Sequence, residues 1–240
     1  MRRQLSKRAT PSFSTILDLL RSQYGKPDND LLPLGNYRDP TDELIFISLS
    51  QRTHAQGTQR AFDELKRRFG TWEDVARASV EEIELATNAG GLSFLKAPRV
   101  KRMLQVLLDT TGSCGLGFLR DMPDAGAYGY LTKTLGAGPK TAWCVLLYSL
   151  NRDVFPADVH AIRVLTRLGL LPTQLRHESL NRHIHEYVPM GNRFELHVNL
   201  IEHGRKTCRQ RPRCSDCVLL EICAYGNERV NQEPSPAISS

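Results

Sequence analysis

Two groups of residues have types and spacings suited to chemistry. The first begins with Leu135-Gly136-Ala137-Gly138-Pro139, followed at once by Lys140 and, a short segment later, by Pro156-Ala157-Asp158-Val159-His160. Glycines let a backbone approach a ligand closely, and proline suits the first position of a helix. The N–H groups at the start of such a helix form a site for phosphate. The same positive helix end disfavours the protonated amine of Lys140 and so favours it as a nucleophile. Asp158, at the head of a second helix, has the charge to stabilise a cationic sugar or to move a proton. The residues equally suit a tight turn between two core helices, with Lys140 solvated and Asp158 a helix cap.

The second group is Cys208, Cys214, Cys217 and Cys223, spaced C-x5-C-x2-C-x5-C among Arg205, Lys206, Arg209, Arg211 and Arg213. Four thiols this close call for a soft metal or a cluster, and no secretory pattern opens the chain to suggest disulfides. Zinc satisfies four cysteines, but its usual sites set two Cys-x2-Cys knuckles far apart. One such pair flanked by single cysteines suits a [4Fe–4S] cluster better, with zinc as the alternative. Cys114 and Cys144 lie outside the set, and Cys144 falls in an apolar helix as a small core residue. His183, His185, His197 and His203 read as surface or capping residues, and Trp72 and Trp143 as core.

The elements that must position these groups are all helical. Periodicity predicts a helix over Phe13–Tyr24, then a buried helix, DELIFISLSQ, capped by Thr41-Asp42-Glu43. The polar GTQRAFDELKRRFG follows, then short helices over Trp72–Ala78 and Val80–Asn88. Another begins after GGLSFLKAPRV and runs through Met103–Leu108, and an apolar helix covers Thr141–Leu150. No alternating strand pattern occurs, so the expected fold class is all-α. The 240 residues allow a substantial core, and 40% hydrophobic with 24% charged residues is ordinary for a globular protein. A net charge of +6 and a pI near 9.1 suit a polyanionic partner without demanding one. No apolar run is long enough to span a membrane, and an intracellular location is expected. Residues 1–12 read as a basic flexible tail and 227–240 as a disordered end.

LGAGPKTAWCVL resembles the helix-hairpin-helix of the endonuclease III family of DNA repair glycosylases, usually LPGVGRKTAxxVL. FPADVHAIRVLTRLG is similar to that family's VDTHxxRVxxRLG, and GLSFLKA to its GLYxxKA. The cysteines resemble its C-x6-C-x2-C-x5-C cluster with one residue fewer in the first loop. FPADVH and FELHVNLIEHGRKTC are also similar to segments of the plant DNA demethylases. Departures are Ala137 and Pro139 for the commoner Val and Arg, the missing proline before Gly136, and His54 where Asp is usual.

The resemblance implies a two-lobed helix-hairpin-helix glycosylase fold. A six-helix barrel would occupy residues 38–149, with the hairpin motif at about 131–149. Residues 13–37 and 150–226 would form the iron–sulfur lobe. By position, Lys140 is the residue that attacks the sugar and Asp158 the essential carboxylate. Gly136, Gly138 and Thr141 would bind a DNA phosphate, as would Lys96 and the loop residues Arg209, Arg211 and Arg213. Gln51 would fill the gap left by an extruded base and Leu92 would wedge beside its partner. Local readings of both remain open, a hydrogen-bonded helix end for Gln51 and a leucine packed under its own loop for Leu92.

The implied activity is a bifunctional DNA glycosylase and abasic-site lyase of base excision repair. It would act as a monomer on double-stranded DNA carrying damaged, by family default oxidised, pyrimidines or abasic sites. The alternatives are a monofunctional glycosylase for mismatched or modified pyrimidines and a DNA-damage-binding protein without chemistry.

Overall fold

The computed structural model describes residues 10–28, 37–172 and 177–232. Among these the regular structure is entirely helical. Helix α1 (Phe13–Tyr24) begins where Ser12 accepts the N–H of Thr15, and it buries Ile16, Leu17 and Leu20. Helix α2 (Pro40–Ser50) is capped by Asp39, which accepts from the N–H groups of Thr41 and Asp42. The cap therefore precedes the expected Thr41-Asp42-Glu43, because Pro40 occupies the first helical position. Thr41 is instead buried, donating to Cys114 O at 2.9 Å and accepting from Leu116 N at 3.0 Å.

Helices α3 (Ala55–Phe69), α4 (Trp72–Arg77) and α5 (Val80–Thr87) follow the sequence periodicity. The last opens with a capping box between Ser79 and Glu82. Helix α6 (Ser93–Thr111) starts well before its expected position and carries Pro98 inside it. Lys96, Ala97, Val100, Met103, Leu104 and Leu107 form one buried stripe through the proline, so packing overrides that local break.

Helix α7 (Asp124–Gly129) runs into a π-helical turn, Tyr130–Thr134, and α8 spans Pro139–Tyr148. The remaining helices are α9 (Val159–Arg167), α10 (His177–Tyr187), α11 (Arg193–Lys206) and α12 (Ala224–Gln232). Helix α12 corrects the expected disordered end from residue 227. Asn227 Nδ2 donates to Leu220 O at 2.6 Å and Cys223 O at 2.8 Å, anchoring that helix to the cysteine loop. Residues 233–240, and 1–9 of the basic tail, lie outside the described residues.

The chain divides into two compact units, Met1–Pro27 with Ala157–Ser240, and Asp28–Pro156. In the second, α2 packs on α8 and α6 packs on α4 and α5. Leu44, Ile45, Leu49, Leu104, Val145 and Leu146 are almost wholly buried there. Each contributes about 1.5–3 kcal/mol of burial. Trp72 belongs to this core, while Trp143 is half-buried and stacks on Tyr128 with ring centroids 4.1 Å apart.

In the first unit α11 packs against both α1 and α9. Arg21 and the buried Glu195 join α1 to it by a two-pronged ion pair at 2.7 and 2.9 Å. Gly204 permits the approach of α9, since a Cβ there would stand 2.8 Å from that of His160.

Candidate active site and cysteine cluster

The hairpin forms because the π-helical turn ends at Leu135 and Gly136 takes φ +72°, a left-handed conformation favourable only to glycine. Ala137 N donates back to Leu131 O at 2.9 Å, closing the turn. Gly136 and Gly138 are exposed, and a Cβ at either would meet nothing within 4 Å. Pro139 opens α8 without a side-chain cap on its amides, the arrangement that leaves a helix end available to an anion. Lys140 lies half-exposed in that first turn and Thr141 is buried behind it.

Asp158 is in the other unit, as the N-cap of α9. Its carboxylate accepts the N–H of His160 at 2.8 Å, and the residue is 6% exposed. The capping role read from the sequence is therefore met, and it holds a carboxylate in a fixed place with little water around it. His160 is pushed below the usual histidine value, chiefly by burial. Arg163, one turn on, contacts His160 Nδ1 at 3.0 Å and donates to Gly204 O at 2.8 Å and Cys208 O at 2.9 Å.

The loops holding Gln51 and Leu92 are brought together. Gln51 is exposed at the end of α2 and accepts from Arg99 Nη1 at 3.3 Å. Leu92 is 37% exposed at φ +54°, and Arg52 shares that left-handed conformation. Such a backbone in a non-glycine residue is held only by its surroundings. Here the fastening is Thr53, which donates to Gly90 O at 2.6 Å, together with Lys96, which donates to Thr53 Oγ1 and to Gly90 O.

Lys96 is 6% exposed, and burial lowers its pKa. This corrects the expected phosphate contact: the amine is committed inside the protein, stapling two loops. His54 caps the start of α3 without a side-chain hydrogen bond.

Cys208, Cys214, Cys217 and Cys223 all line one pocket, together with Leu220, Tyr225 and Gly226. Burial, with the neighbouring cysteines adding to it, pushes Cys217 up to about 11. Four thiolates would repel one another here unless cationic iron or zinc neutralised them. Among the described residues no three His, Cys, Asp or Glu side chains converge as they would on a single metal ion.

Arg167 Nη1 donates to Cys208 Sγ at 3.2 Å, and its guanidinium lies 4.6 Å over the ring of Tyr225. Gly226 N donates to Cys223 Sγ at 3.3 Å. Arg209 and Arg213 are exposed while donating to Arg205 O and Lys206 O, and Arg211 is exposed.

His197 and His203 are buried, which corrects the surface reading. His203 sits with Nε2 3.5 Å from Cys217 Sγ and Nδ1 3.0 Å from the hydroxyl of Tyr24, and desolvation lowers it to about 4. The sequence signal missed here was spacing. Arg163, Arg167 and His203 fall on the helix faces that turn towards the cysteine loop.

The HhH-GPD superfamily of base excision DNA repair proteins matches residues 46–190. An Arabidopsis thaliana protein designated a candidate DNA glycosylase is 34% identical over 176 residues, 73% of this chain and 58% of the relative. The chain thus spans little more than half of that relative's length. Endonuclease III of Sulfolobus acidocaldarius is 31% identical over 196 residues, 80% of this chain and 84% of that protein. The fold matches that of endonuclease III in a non-covalent complex with DNA, with a TM-score of 0.75 at 24% identity. That match covers 91% of this chain and 97% of the other.

Proposed function

Because the chain belongs to the HhH-GPD superfamily of base excision DNA repair proteins, we propose that it releases damaged pyrimidines from duplex DNA and then cuts the strand. The observation that carries this is the placement of Lys140 immediately behind the open Gly136–Gly138 turn, at the amide end of α8. A phosphate held by that turn brings the deoxyribose of a flipped nucleotide to an amine.

In this reaction Lys140 Nζ forms a bond to C1′ as the C1′–base bond breaks, and the base leaves with the electron pair. The carboxylate of Asp158 offsets the positive charge that develops on the sugar. Loss of a proton from nitrogen and opening of the sugar ring give an imine, which acidifies the hydrogens on C2′. Removal of one of them expels the 3′ phosphate, and water later frees Lys140. An amine able to form that imine separates a lyase from a glycosylase that uses water alone.

Cys208, Cys214, Cys217 and Cys223 would hold a [4Fe–4S] cluster, which when bound supplies a rigid, charged anchor for the loop bearing Arg209, Arg211 and Arg213. Those arginines would meet the DNA backbone. The oxidised-pyrimidine preference rests on the likeness to endonuclease III. A second substrate class, mismatched or modified pyrimidines, is favoured by His54, exposed where the related motif carries Asp.

Borohydride trapping on duplexes carrying thymine glycol, uracil, 5-methylcytosine or an abasic site tests the proposal. A covalent adduct is expected with wild type and none with Lys140→Gln. Base release without an adduct would overturn the lyase half, and binding without release would overturn the glycosylase.

A further inference from the structure

We propose that Tyr24, in the first helix of the chain, is a positioning residue for the four-cysteine site and acts on Cys217 through His203. The inference rests on the reading of Cys208, Cys214, Cys217 and Cys223 as cluster ligands. It concerns contacts within the unit that contains them.

His203 lies in the last turn of α11, is 1% exposed and touches both partners. Its Nε2 is 3.5 Å from Cys217 Sγ and its Nδ1 is 3.0 Å from the hydroxyl of Tyr24. A buried imidazole is neutral and carries one ring hydrogen, so the two contacts depend on each other. A cysteine sulfur that ligates a metal is a thiolate, which only accepts. Nε2 must then carry the hydrogen towards Cys217, and Nδ1 must accept. Tyr24 O–H is the group placed to donate to it. The hydroxyl of α1 thereby fixes the tautomer that gives the sulfur its donor.

The neighbouring contacts hold Tyr24 in that role. Its ring meets the imidazole edge to face, with centroids 5.9 Å apart. Asn199 Nδ2, one turn before His203, donates to Gly25 O at 3.1 Å and holds the end of α1 on the same face of α11. Thr207 Oγ1 lies 3.5 Å from the phenolic oxygen, where it can donate to a hydroxyl that has given its own hydrogen to His203. Arg167 and the N–H of Gly226 give Cys208 and Cys223 a donor each. His203 supplies Cys217 from a third helix. A donor to a ligating thiolate disperses its charge, which raises the reduction potential and steadies the ligand.

The test uses the full chain purified with its iron–sulfur absorbance. Tyr24→Phe keeps the packing and removes the hydroxyl. It is expected to lower the reduction potential and to hasten loss of visible absorbance under a chelator by about tenfold, and His203→Leu by up to about a hundredfold. Glutamine keeps an N–H donor for Cys217 but has no tautomer for Tyr24 to select. His203→Gln should therefore retain most of the wild-type potential and make it indifferent to a second change, Tyr24→Phe. Arg21→Met loosens α1 from α11 elsewhere along the helix, and should lower the melting temperature while leaving the potential unchanged. Wild-type potential and rate in Tyr24→Phe, or an effect that persists in the His203→Gln background, would overturn the inference. Wild type without iron–sulfur absorbance would instead overturn the cluster reading, and the inference with it.

Discussion

Arg167 donates to the sulfur of Cys208 at 3.2 Å while its other donors hold Arg209 O at 2.7 Å and Gln210 O at 3.2 Å. One side chain of α9, the helix capped by Asp158, therefore fixes both a cysteine sulfur and the backbone that carries it. With the proposed [4Fe–4S] cluster bound, a donor to one of its thiolates would draw electron density away and raise the reduction potential. Arg167→Met is expected to lower the potential and to hasten loss of visible absorbance under a chelator, with Arg167→Lys intermediate. Equal potentials in all three proteins would show that the contact is only structural.

Asp158 combines a cap and a charge, and the two can be separated. Asparagine retains the acceptor for His160 N–H and loses the carboxylate. Asp158→Asn should therefore melt as wild type does while base release falls by about a hundredfold or more. Asp158→Ala should show the same loss and a further cost of about 1 kcal/mol in stability. Thermal melting beside single-turnover release measures both.

Lys96→Met removes one of two donors to Gly90 O and the contact that holds Thr53. Thr53 still donates to Gly90 O, so a cost of about 0.5–1.5 kcal/mol is expected from the hydrogen bonds lost. Burial holds the native amine below the ordinary lysine value of 10.5, so the unfolded chain binds more protons as pH rises through the interval below it. Native stability must therefore climb across that interval towards 10.5, and Lys96→Met should lack the slope. Urea unfolding at stepped alkaline pH reads the difference.

Gly204→Ala places a methyl 2.8 Å from His160 Cβ and 3.1 Å from His160 O, both fixed parts of α9. Overpacking of this kind costs about 1–3 kcal/mol. Because α9 starts at Asp158, the variant should lose base release more steeply than DNA affinity. Comparing the two, together with denaturant midpoints, checks this.

The helices and both chemical groups were readable because each rests on local signals: apolar periodicity over Phe13–Tyr24, Asp158 as a cap, glycines beside a lysine, four cysteines in a short run. What escaped reading depends on residues distant in sequence. Lys96 looks like a surface cation until Thr53 and Gly90 are seen folded around it. Pro98 reads as a helix boundary until α6 is found packed on α4 and α5 with Ala97 and Val100 buried. His203 reads as a surface histidine because nothing local announces Tyr24 and Cys217 as its neighbours.

The pairing of α1 with α11 also bears on the order in which the protein can be assembled. Arg21 emerges from the ribosome long before its partner Glu195, and the whole Asp28–Pro156 unit is translated between them. That unit can condense on the nascent chain, while α1 has no Glu195 to receive it until α11 has been synthesised. In the interim Ile16, Leu17 and Leu20 have no mature surface to cover, so the first helix to be made is among the last to be packed.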